Sequence, residues 1–404
     1  MLEFKMYFPI SFPMRNFNTV MEQCLQFLPR EQFNVFVGQH GGNRYTKHFT
    51  AWNQLAVMLY AQATGKTSLR DIQTGLQVQS SKWYHLGIKS VARSTISDAN
   101  SRRSYQIFEQ LFYALFKRCQ QYLPRKKFNF KNDLYSLDGS VIDLCLNLFD
   151  WAKFRKQKGA IRLHTLFCNT TQIPTFLSIT DGKQHEITET KATWQDWNLP
   201  KQSILVFDRG YIDYNWFNDL TSSNIFFVTR RKKNMQYAIH ESSLTTEEGV
   251  IKDEVISFVL PNAEKAYPHK LRLVTYWCAT KQKQLQFITN NFKLSASTIA
   301  AIYKEHWQIE LFFKWIKQHL KIKTFLGTNK NAVLTQIWIA MIYFLLLSYI
   351  KAQTKTKLSL LELSRIFAEA FFSRITIIDM LTLPPASIVQ QLKQTRGSPQ
   401  LALF

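Results

Sequence analysis

Three acidic residues, far apart along the chain, stand in settings that could support chemistry. Asp138 lies in "LDGS", where Gly139 removes bulk beside it, and Asp208 follows an apolar run in "FDRGY". Glu310 lies among aromatic residues in "YKEHWQIELFFKWIKQHL", residues 303–320. Oxygen ligands suit hard divalent cations such as Mg²⁺ or Mn²⁺. If the three carboxylates converge, they could hold two such ions and promote in-line attack on a phosphodiester.

The two best-placed acids also have plainer interpretations. An aspartate before Arg-Gly commonly forms a turn, and this alone would account for Asp208. Glu310 precedes Lys314 and Lys317 by four and seven residues, so it could form exposed ion pairs on a helix, each contributing about 0.3 to 0.5 kcal/mol. Spacing alone leaves the choice between metal ligand and ion pair open.

The segment around Glu310 is predicted to be a helix with two faces. Intervals of three and four residues place Tyr303, His306, Glu310, Lys314 and Lys317 on one face. The lysines there could hold phosphates beside a scissile bond. The apolar residues are expected to be buried; they are Trp307, Leu311, Phe312, Trp315, Ile316 and Leu320.

The charge balance indicates a polyanionic partner. Lys plus Arg number 51 against 28 Asp plus Glu, a formal net charge of +23, and nucleic acid is the first expectation. The 46% hydrophobic content favours a packed core over a basic tail. Arg230 and Arg231 in "TRRKK", Arg209 in "FDRGY" and the segment "KFRKQKGAIR" at 153–162 are candidate contacts to a DNA backbone, with solvated loops as the alternative.

Cysteine content and hydropathy indicate the cellular compartment of the protein. The five cysteines are odd in number and form no C-x-x-C pair, so neither a disulfide framework nor a zinc ribbon is indicated, and a reducing cytosol is favoured. No secretory signal is visible at the start. Residues 337–350 are apolar but shorter than the roughly 18 to 20 residues of a membrane span, which predicts a core helix. His185 and Glu186 lack the companions of a zinc site and are interpreted as structural.

The N-terminal region is predicted to be helical. Helical spacing recurs in "FTAWNQLAVMLYAQAT", in "SLRDIQTGL" and in "STISDANSRRSYQIFEQLFYALFKRC", the last capped at Ser97 or Asp98. These helices could form a helix-turn-helix in which Arg93, Arg102 and Arg103 reach phosphate, or simply a packed bundle.

From about residue 133 the pattern changes to an α/β unit. Five strand-like segments begin near residues 134, 160, 173, 203 and 224, and a connecting helix is predicted at 211–223. Asp208, at the end of an apolar strand, would face the crevice where ligands bind. We therefore predict a helical N-terminal DNA-binding domain at 1–128, a catalytic core at 129–229 and 299–350, a β-rich insertion at 230–298 and a helical tail at 351–404.

The motifs resemble those of a known family. "YKEHWQIELFFKWIK" is similar to the C-terminal signature of bacterial insertion-sequence transposases of the DDE class, the IS-four family, in which Tyr, Arg, Glu and Lys recur in that order. The signature falls on Tyr303, His306, Glu310 and Lys317. "LDGS" resembles the first aspartate motif of that family and "FDRGY" the second, and the likeness spans about residues 30–350.

The resemblance implies an α/β fold with a ribonuclease-H-like core. It implies that Asp138, Asp208 and Glu310 ligate two Mg²⁺ or Mn²⁺ ions, and that Tyr303 and Lys317 contact the DNA end. It further implies cut-and-paste transfer of 3′-hydroxyls into target DNA through a hairpin intermediate. It also implies a homodimer on paired inverted repeats, in the bacterial cytoplasm at the nucleoid.

One position departs from the signature. His306 stands where the family has arginine, and a neutral imidazole cannot supply the bidentate fork that guanidinium offers to phosphate. We hypothesise a weaker hold on the 5′ phosphate and slow hairpin formation. The alternatives are a ribonuclease-H-like nuclease that cuts without joining, a catalytically inactive DNA-binding relic, against which the three acids count, and, more distantly, a membrane protein.

Overall fold

The structure is a computed structural model that describes residues 18–83, 88, 91–145, 148–155, 158–243, 246–320 and 324–382. The chain start, on which the secretory signal was judged, and the end of the predicted tail lie outside these ranges, as do residues 156 and 157 of the basic segment. Contacts divide the chain into two compact units. One joins the residues up to Tyr122 with those from Thr335 onward, and the other is Leu123–Leu334.

The α-helices of the described residues are α1 (Val20–Gln26), α2 (Arg30–Gln39), α3 (Ala51–Ala63), α4 (Leu69–Val78), α5 (Ser80–Trp83), α6 (Arg93–Arg102), α7 (Gln106–Gln120), α8 (Glu186–Thr193), α9 (Tyr214–Ser222), α10 (Pro261–Ala266), α11 (Ala296–Glu305), α12 (Trp307–His319), α13 (Lys330–Thr354), α14 (Leu360–Ala370) and α15 (Ile377–Thr382). The strands are β1 (Leu134–Leu144), β2 (Lys153–Arg155), β3 (Lys158–Cys168), β4 (Ile173–Asp181), β5 (Ile204–Phe207), β6 (Phe226–Arg230), β7 (Tyr237–Ser243), β8 (Val250–Phe258), β9 (Leu271–Cys278) and β10 (Lys283–Thr289).

The unit that contains the N-terminal region is helical, as predicted, but one predicted cap was wrong. The third predicted helix is two, α6 and α7, so Ser97 and Asp98 lie inside α6 rather than at its start. The chain leaves α6 at Arg103, whose guanidinium donates to the carbonyls of Gly42 and Phe49, each at 2.6 Å. These internal bonds hold Arg103 within the fold, and they oppose the expected phosphate contact.

Helix α13 is the apolar helix of the same unit. It is the one helix in the described ranges long and apolar enough to cross a membrane, yet 94% of its most apolar window is buried inside the protein. Trp338 packs against Phe112 of α7 with ring centroids 5.3 Å apart. This burial agrees with the predicted core helix.

The second unit is built on one mixed sheet. Strands β1, β5 and β6 are parallel neighbours, β3 runs antiparallel to β1, and β4 runs antiparallel to β3. Leaving out the short β2, the strand order is third, second, first, fourth and fifth along the chain. This is the ribonuclease-H-like arrangement, and the predicted fold class is confirmed.

Apolar layers cover both faces of the central strands. Leu205 and Phe207 of β5 pack with Trp216 of α9 on one face, whereas Ile204 and Val206 pack with residues of α11 on the other. Successive side chains of a strand point to opposite faces, so a strand covered on both sides is continuously apolar. This explains why β5 consists of the apolar residues "ILVF", and why a charged residue, Asp208, follows where the apolar layers end.

The β-rich segment extends the same sheet rather than forming a separate one. Strand β10 pairs antiparallel with β6, with Phe287 opposite Arg230, and the sheet continues through β9, β8 and β7. Three strands were predicted in this segment, and the structure adds β7 and the short helix α10 between β8 and β9.

Candidate active site

The sheet brings the two aspartates side by side. Leu137 of β1 is the register partner of Phe207 of β5, and Asp138 and Asp208 are the next residues on these parallel strands. Asp208 Oδ1 accepts a hydrogen bond from the Gly210 amide at 2.7 Å and caps the 3₁₀ turn Arg209–Tyr211. The Asp138 carboxylate accepts from the Gly139 amide at 2.8 Å. Adjacent strands therefore present both carboxylates at one place.

Helix α12 supplies the third acid. It packs on β1, and its Phe312 contacts Phe167 of β3 with ring centroids 5.3 Å apart. Burial raises the pKa of Glu310, the positive charge of Lys281 lowers it, and the negative charge of Asp208 raises it. The two carboxylates are thus close enough to act on one another.

The pKa of Asp138 is affected by the negative charges of the acids around it. Its pKa is raised from 3.8 to about 7, mainly by burial and also by the negative charges of Asp208, Glu186 and Glu310, while the hydrogen bond from the Gly139 amide lowers it. An acid held in this way favours a nearby cation, because positive charge would offset both the burial and the repulsion. The negative charges of Asp208 and Glu310, the other two acids singled out by sequence, therefore both act on Asp138.

Glu186, which the sequence analysis interpreted as structural, lies beside the turns that follow both aspartates. It begins α8, and Arg162 Nη1 of β3 lies 2.7 Å from its Oε1. A Cβ added at Gly139 would lie 2.9 Å from Glu186 Oε1, and one added at Gly210 would lie 3.2 Å from Oε2 and 2.9 Å from Asp208 Oδ1. The signal in the sequence was the pair of glycines that follow the two aspartates.

The donor set fits a hard divalent cation. As they stand, no three His, Cys, Asp or Glu side chains in the described ranges are spaced to bind a metal ion. Two observations nevertheless suit one. The carboxylate oxygens of Glu186 and Asp208 lie so close to Gly139 and Gly210 that an added Cβ would come to 2.9 Å from one of them. The hydroxyl of Tyr211, a residue with 0% exposure, is buried without a hydrogen-bond partner in the described ranges. All the acidic donors are oxygens, as Mg²⁺ and Mn²⁺ prefer.

The predicted helix is interrupted at His306. The Ile309 amide donates to the His306 carbonyl at 3.2 Å, one residue short of the α-helical bond, and α11 ends where α12 begins. The His306 side chain is 5% exposed, and burial lowers its pKa to about 4 while Asp208 raises it. Neutral and buried, it does not reach the protein surface in this conformation, which opposes the expected phosphate contact.

The apolar face of α12 differs from the predicted one. Trp307 and Leu311 are 56% and 41% exposed, whereas Ile309 and Phe313 are buried with the expected Phe312, Ile316 and Leu320. The buried face is therefore offset from the predicted one, and Trp307 and Leu311 were wrongly assigned to the core. Glu310 is exposed between these two apolar side chains.

Several predicted DNA contacts gather beside Asp208. The ring of Tyr303 packs against that of Phe287 in a tilted arrangement, with centroids 4.8 Å apart. Its pKa is raised to about 12 by burial and by the negative charge of Asp208, while the positive charges of Arg230 and Arg209 and a hydrogen bond to Arg230 lower it. Arg230 follows Thr229, the register partner of Phe207, so it occupies on β6 the level of Asp208 on β5.

The other basic candidates differ in their surroundings. The Arg231 Nε donates to Gln286 Oε1 at 2.7 Å, which ties it to β10. On α12, Lys314 is exposed and Lys317 is half-buried. Lys281, which the sequence did not single out, lies close enough to lower the pKa of Glu310. Its position, in the turn between β9 and β10, brings the inserted segment to the site.

A ribonuclease-H-like sheet with aspartates on its central parallel strands and a glutamate on a later helix defines the class of the DDE transposases. The model of the Transposase DDE domain family matches residues 129–346, more than half of the chain, and this protein belongs to that family. Residues 16–89 match a domain of unknown function, DUF4372.

The chain also resembles individual proteins. It is 30% identical over 321 residues to a chain named as a transposase, y4zB, of Sinorhizobium fredii, covering 78% of this chain and 86% of that one. It is 26% identical, over 71% of this chain and 74% of the other, to a chain named as a transposase for the insertion sequence element IS5377 of Geobacillus stearothermophilus. Among solved structures, the piggyBac transposase synaptic complex with hairpin DNA aligns with a TM-score of 0.45 and 10% identity, over 96% of this chain and 83% of that one.

Proposed function

We propose that this protein cleaves the ends of an insertion sequence and joins the freed 3′-hydroxyls to target DNA by metal-dependent transesterification. Membership of the transposase family supports the broad assignment. The observation that supports the chemistry is that the negative charges of Asp208 and Glu310 raise the pKa of Asp138, and that the charge of Asp208 raises the pKa of Glu310.

Asp138, Asp208 and Glu310 would hold Mg²⁺ or Mn²⁺. Two such ions supply activation of the attacking hydroxyl and charge stabilisation on the leaving oxygen when bound. The protein contributes a sheet that keeps both aspartates on neighbouring strands and a helix that brings the glutamate to them. These supports limit the reorganisation needed to reach a reactive arrangement.

The basic residues beside the acids would hold the DNA backbone. Arg209, Arg230 and Tyr303 lie near Asp208, and Lys314 is exposed on the helix of Glu310. Cationic side chains next to the reacting centre position phosphate without reading sequence. Lys317 and Arg231 are proposed to extend this contact, and DNA binding by the helical N-terminal region is proposed on the predicted pattern.

The detailed route of DNA excision and transfer is proposed from the family resemblance. It is cut-and-paste through a hairpin, with a homodimer on paired terminal inverted repeats. The burial of His306 bears on the hairpin step, because the side chain that stands at the family's arginine position is not exposed to a phosphate in this conformation.

A coupled cleavage and strand-transfer assay tests the proposal. Wild-type protein, a labelled element end, supercoiled target and Mg²⁺ should yield cut ends and then joined products. Asp138→Ala should retain DNA binding but lose both products by at least about 10³-fold, since members of a catalytic set act as a unit. Asp253→Asn, which removes an ion pair to Arg272 in the inserted strands, serves as the control.

Each outcome discriminates between the candidates. Ends that are cut but never joined would identify a nuclease. Wild-type protein that binds the ends yet neither cuts nor joins them would identify a DNA-binding relic. If Asp138→Ala keeps full activity, the catalytic assignment is wrong.

A further inference from the structure

Glu186 occupies the space between the turns that follow the two aspartates. Its two oxygens lie on different glycines, Oε1 toward Gly139 and Oε2 toward Gly210. Any larger residue at Gly139 would bring a Cβ to 2.9 Å from Oε1, closer than such contacts normally occur. The glycines of "LDGS" and "FDRGY" thus make room for this carboxylate.

A buried hydroxyl is directed at the same place. Tyr211 is 0% exposed, and its hydroxyl has no hydrogen-bond partner within the described part of the chain. Burial raises the pKa of Tyr211, and the negative charges of Glu186, Asp138 and Asp208 raise it further, so the hydroxyl lies within the electrostatic range of all three acids. A buried polar group without a partner is rare and indicates a missing ligand or water.

Arg162 fixes the orientation of Glu186. Arg162 Nη1 lies 2.7 Å from Glu186 Oε1, and the two side chains are only 16% and 25% exposed. A guanidinium bound to one oxygen leaves the other oxygen, Oε2, on the side of Gly210 and Asp208. One oxygen is used to position the side chain, and the second remains directed at the aspartates.

We infer that Glu186 is a fourth acidic residue of the catalytic site, which binds the divalent cation together with Asp138 and Asp208 and is oriented for this by Arg162. The inference rests on the proposed function, because it assigns a further ligand to the same site. Its rival is a purely structural ion pair between Glu186 and Arg162.

Cation binding without DNA separates the two. We would titrate Mn²⁺ into the full-length protein by isothermal titration calorimetry, comparing wild type with Glu186→Gln. The amide oxygen of glutamine can still accept from Arg162, so the variant keeps the local hydrogen bond and loses only the charge. We expect its Mn²⁺ affinity to fall about 10- to 100-fold. An affinity equal to that of wild type would overturn the inference.

Two further variants control for folding. Asp253→Asn likewise removes the negative charge from an arginine pair, with side chains 10% and 22% exposed, and should lower the melting temperature without changing Mn²⁺ affinity. Gly139→Ala should push Glu186 aside and weaken Mn²⁺ binding, whereas Gly38→Ala, where an added Cβ meets nothing within 4 Å, should not. Equal Mn²⁺ affinity in Gly139→Ala and wild type would also count against the inference.

Asp138→Ala distinguishes the failure of the inference from that of the proposed function. If Asp138→Ala abolishes Mn²⁺ binding and Glu186→Gln leaves it unchanged, Glu186 is structural and the three-acid site stands. If neither variant changes Mn²⁺ binding or cleavage, the proposed function falls as well.

Discussion

The side-chain amide of Asn169 donates to the backbone carbonyl of Glu305 at 2.8 Å. Glu305 is the last residue of α11, immediately before the interruption at His306. The same amide accepts from the Ser136 hydroxyl of β1 at 2.7 Å, and Asn169 has 0% exposure. A buried hydrogen-bonded link therefore joins the strand that carries Asp138 to the start of the helix that carries Glu310.

Asn169→Asp should lower the cleavage rate. Aspartate has nearly the same shape and can still accept from Ser136, but an ionised carboxylate cannot donate to the Glu305 carbonyl. Loss of this buried hydrogen bond to Glu305 costs about 1 to 3 kcal/mol and allows the helix break at His306 to move. We expect kcat for end cleavage to fall about 10- to 100-fold, as a small misplacement of a catalytic group can produce.

The matched control is Asn290→Asp. Asn290 also bridges elements of the sheet unit, donating to Thr221 Oγ1 at 2.9 Å and to the Ile225 carbonyl at 3.0 Å, and neither of these hydrogen bonds involves β1 or α12. This variant should lose stability and keep its kcat once folded. If both variants reduce kcat alike, Asn169 has only a general structural role.

Without a divalent cation, the stability of the wild type should decrease as pH rises relative to that of Asp138→Asn. The pKa of Asp138 is about 7 in the folded chain against an ordinary value of 3.8, so the folded state holds this proton more tightly. The stabilisation is complete below the lower value and is lost as pH rises through the upper one. Asparagine does not titrate and avoids this loss.

Melting temperatures of both proteins in chelator, from about pH 5 to about pH 8, check this linkage. At the alkaline end, the free energy of unfolding of Asp138→Asn should exceed that of the wild type by about 2 to 4 kcal/mol. Mg²⁺ should reduce this difference, because it stabilises the wild type alone. A difference between the two proteins that does not change with pH would show that Asp138 titrates normally.

Lys314→Ala should weaken DNA binding in a salt-dependent manner. Lys314 is exposed on α12, one turn beyond Glu310. Removing one phosphate contact should reduce the slope of log K against log salt by about 0.9. Fluorescence anisotropy over a salt series measures this slope. Lys265→Ala, on α10, is the control, and an unaltered slope in Lys314→Ala would remove this lysine from the proposed interface.

His306→Arg tests the departure from the family signature. The site is 5% exposed, so a guanidinium there must either be buried or displace its surroundings to reach solvent, and we expect a lower melting temperature. If the family role applies, end cleavage through a hairpin should nevertheless become faster, because arginine supplies a bidentate phosphate contact. A time course of end cleavage with an unchanged rate would refute the hypothesis.

Local patterns predicted the central elements well. The apolar run before Asp208 is β5, and the predicted connecting helix is α9, because burial on both faces leaves a signal within a few residues. Strand β7 was missed because most of its residues are exposed and it is held by pairing with β8. The exposure of Trp307 was missed because helical spacing does not reveal which side of a helix meets its neighbours.

The missed acid has a different cause. Glu186 lies beside Gly139 and Gly210 only because α8 begins next to the ends of strands that are distant in sequence, and the residues around it carry no catalytic pattern. The residue before the interruption at His306 is likewise hydrogen-bonded to Asn169, which lies 137 positions before His306 in the chain. Such relationships are properties of the folded chain, and single-sequence patterns do not contain them.

Because β10 pairs with β6, the inserted segment is a structural part of the sheet beside the aspartates. Deleting that segment would strip the Arg230 strand of its neighbour and expose a backbone edge prone to aggregation. An inserted segment transplanted from a related protein is therefore best joined at the outermost strand, β7. The length of the segment can change there while the strand pairing beside the aspartates is preserved.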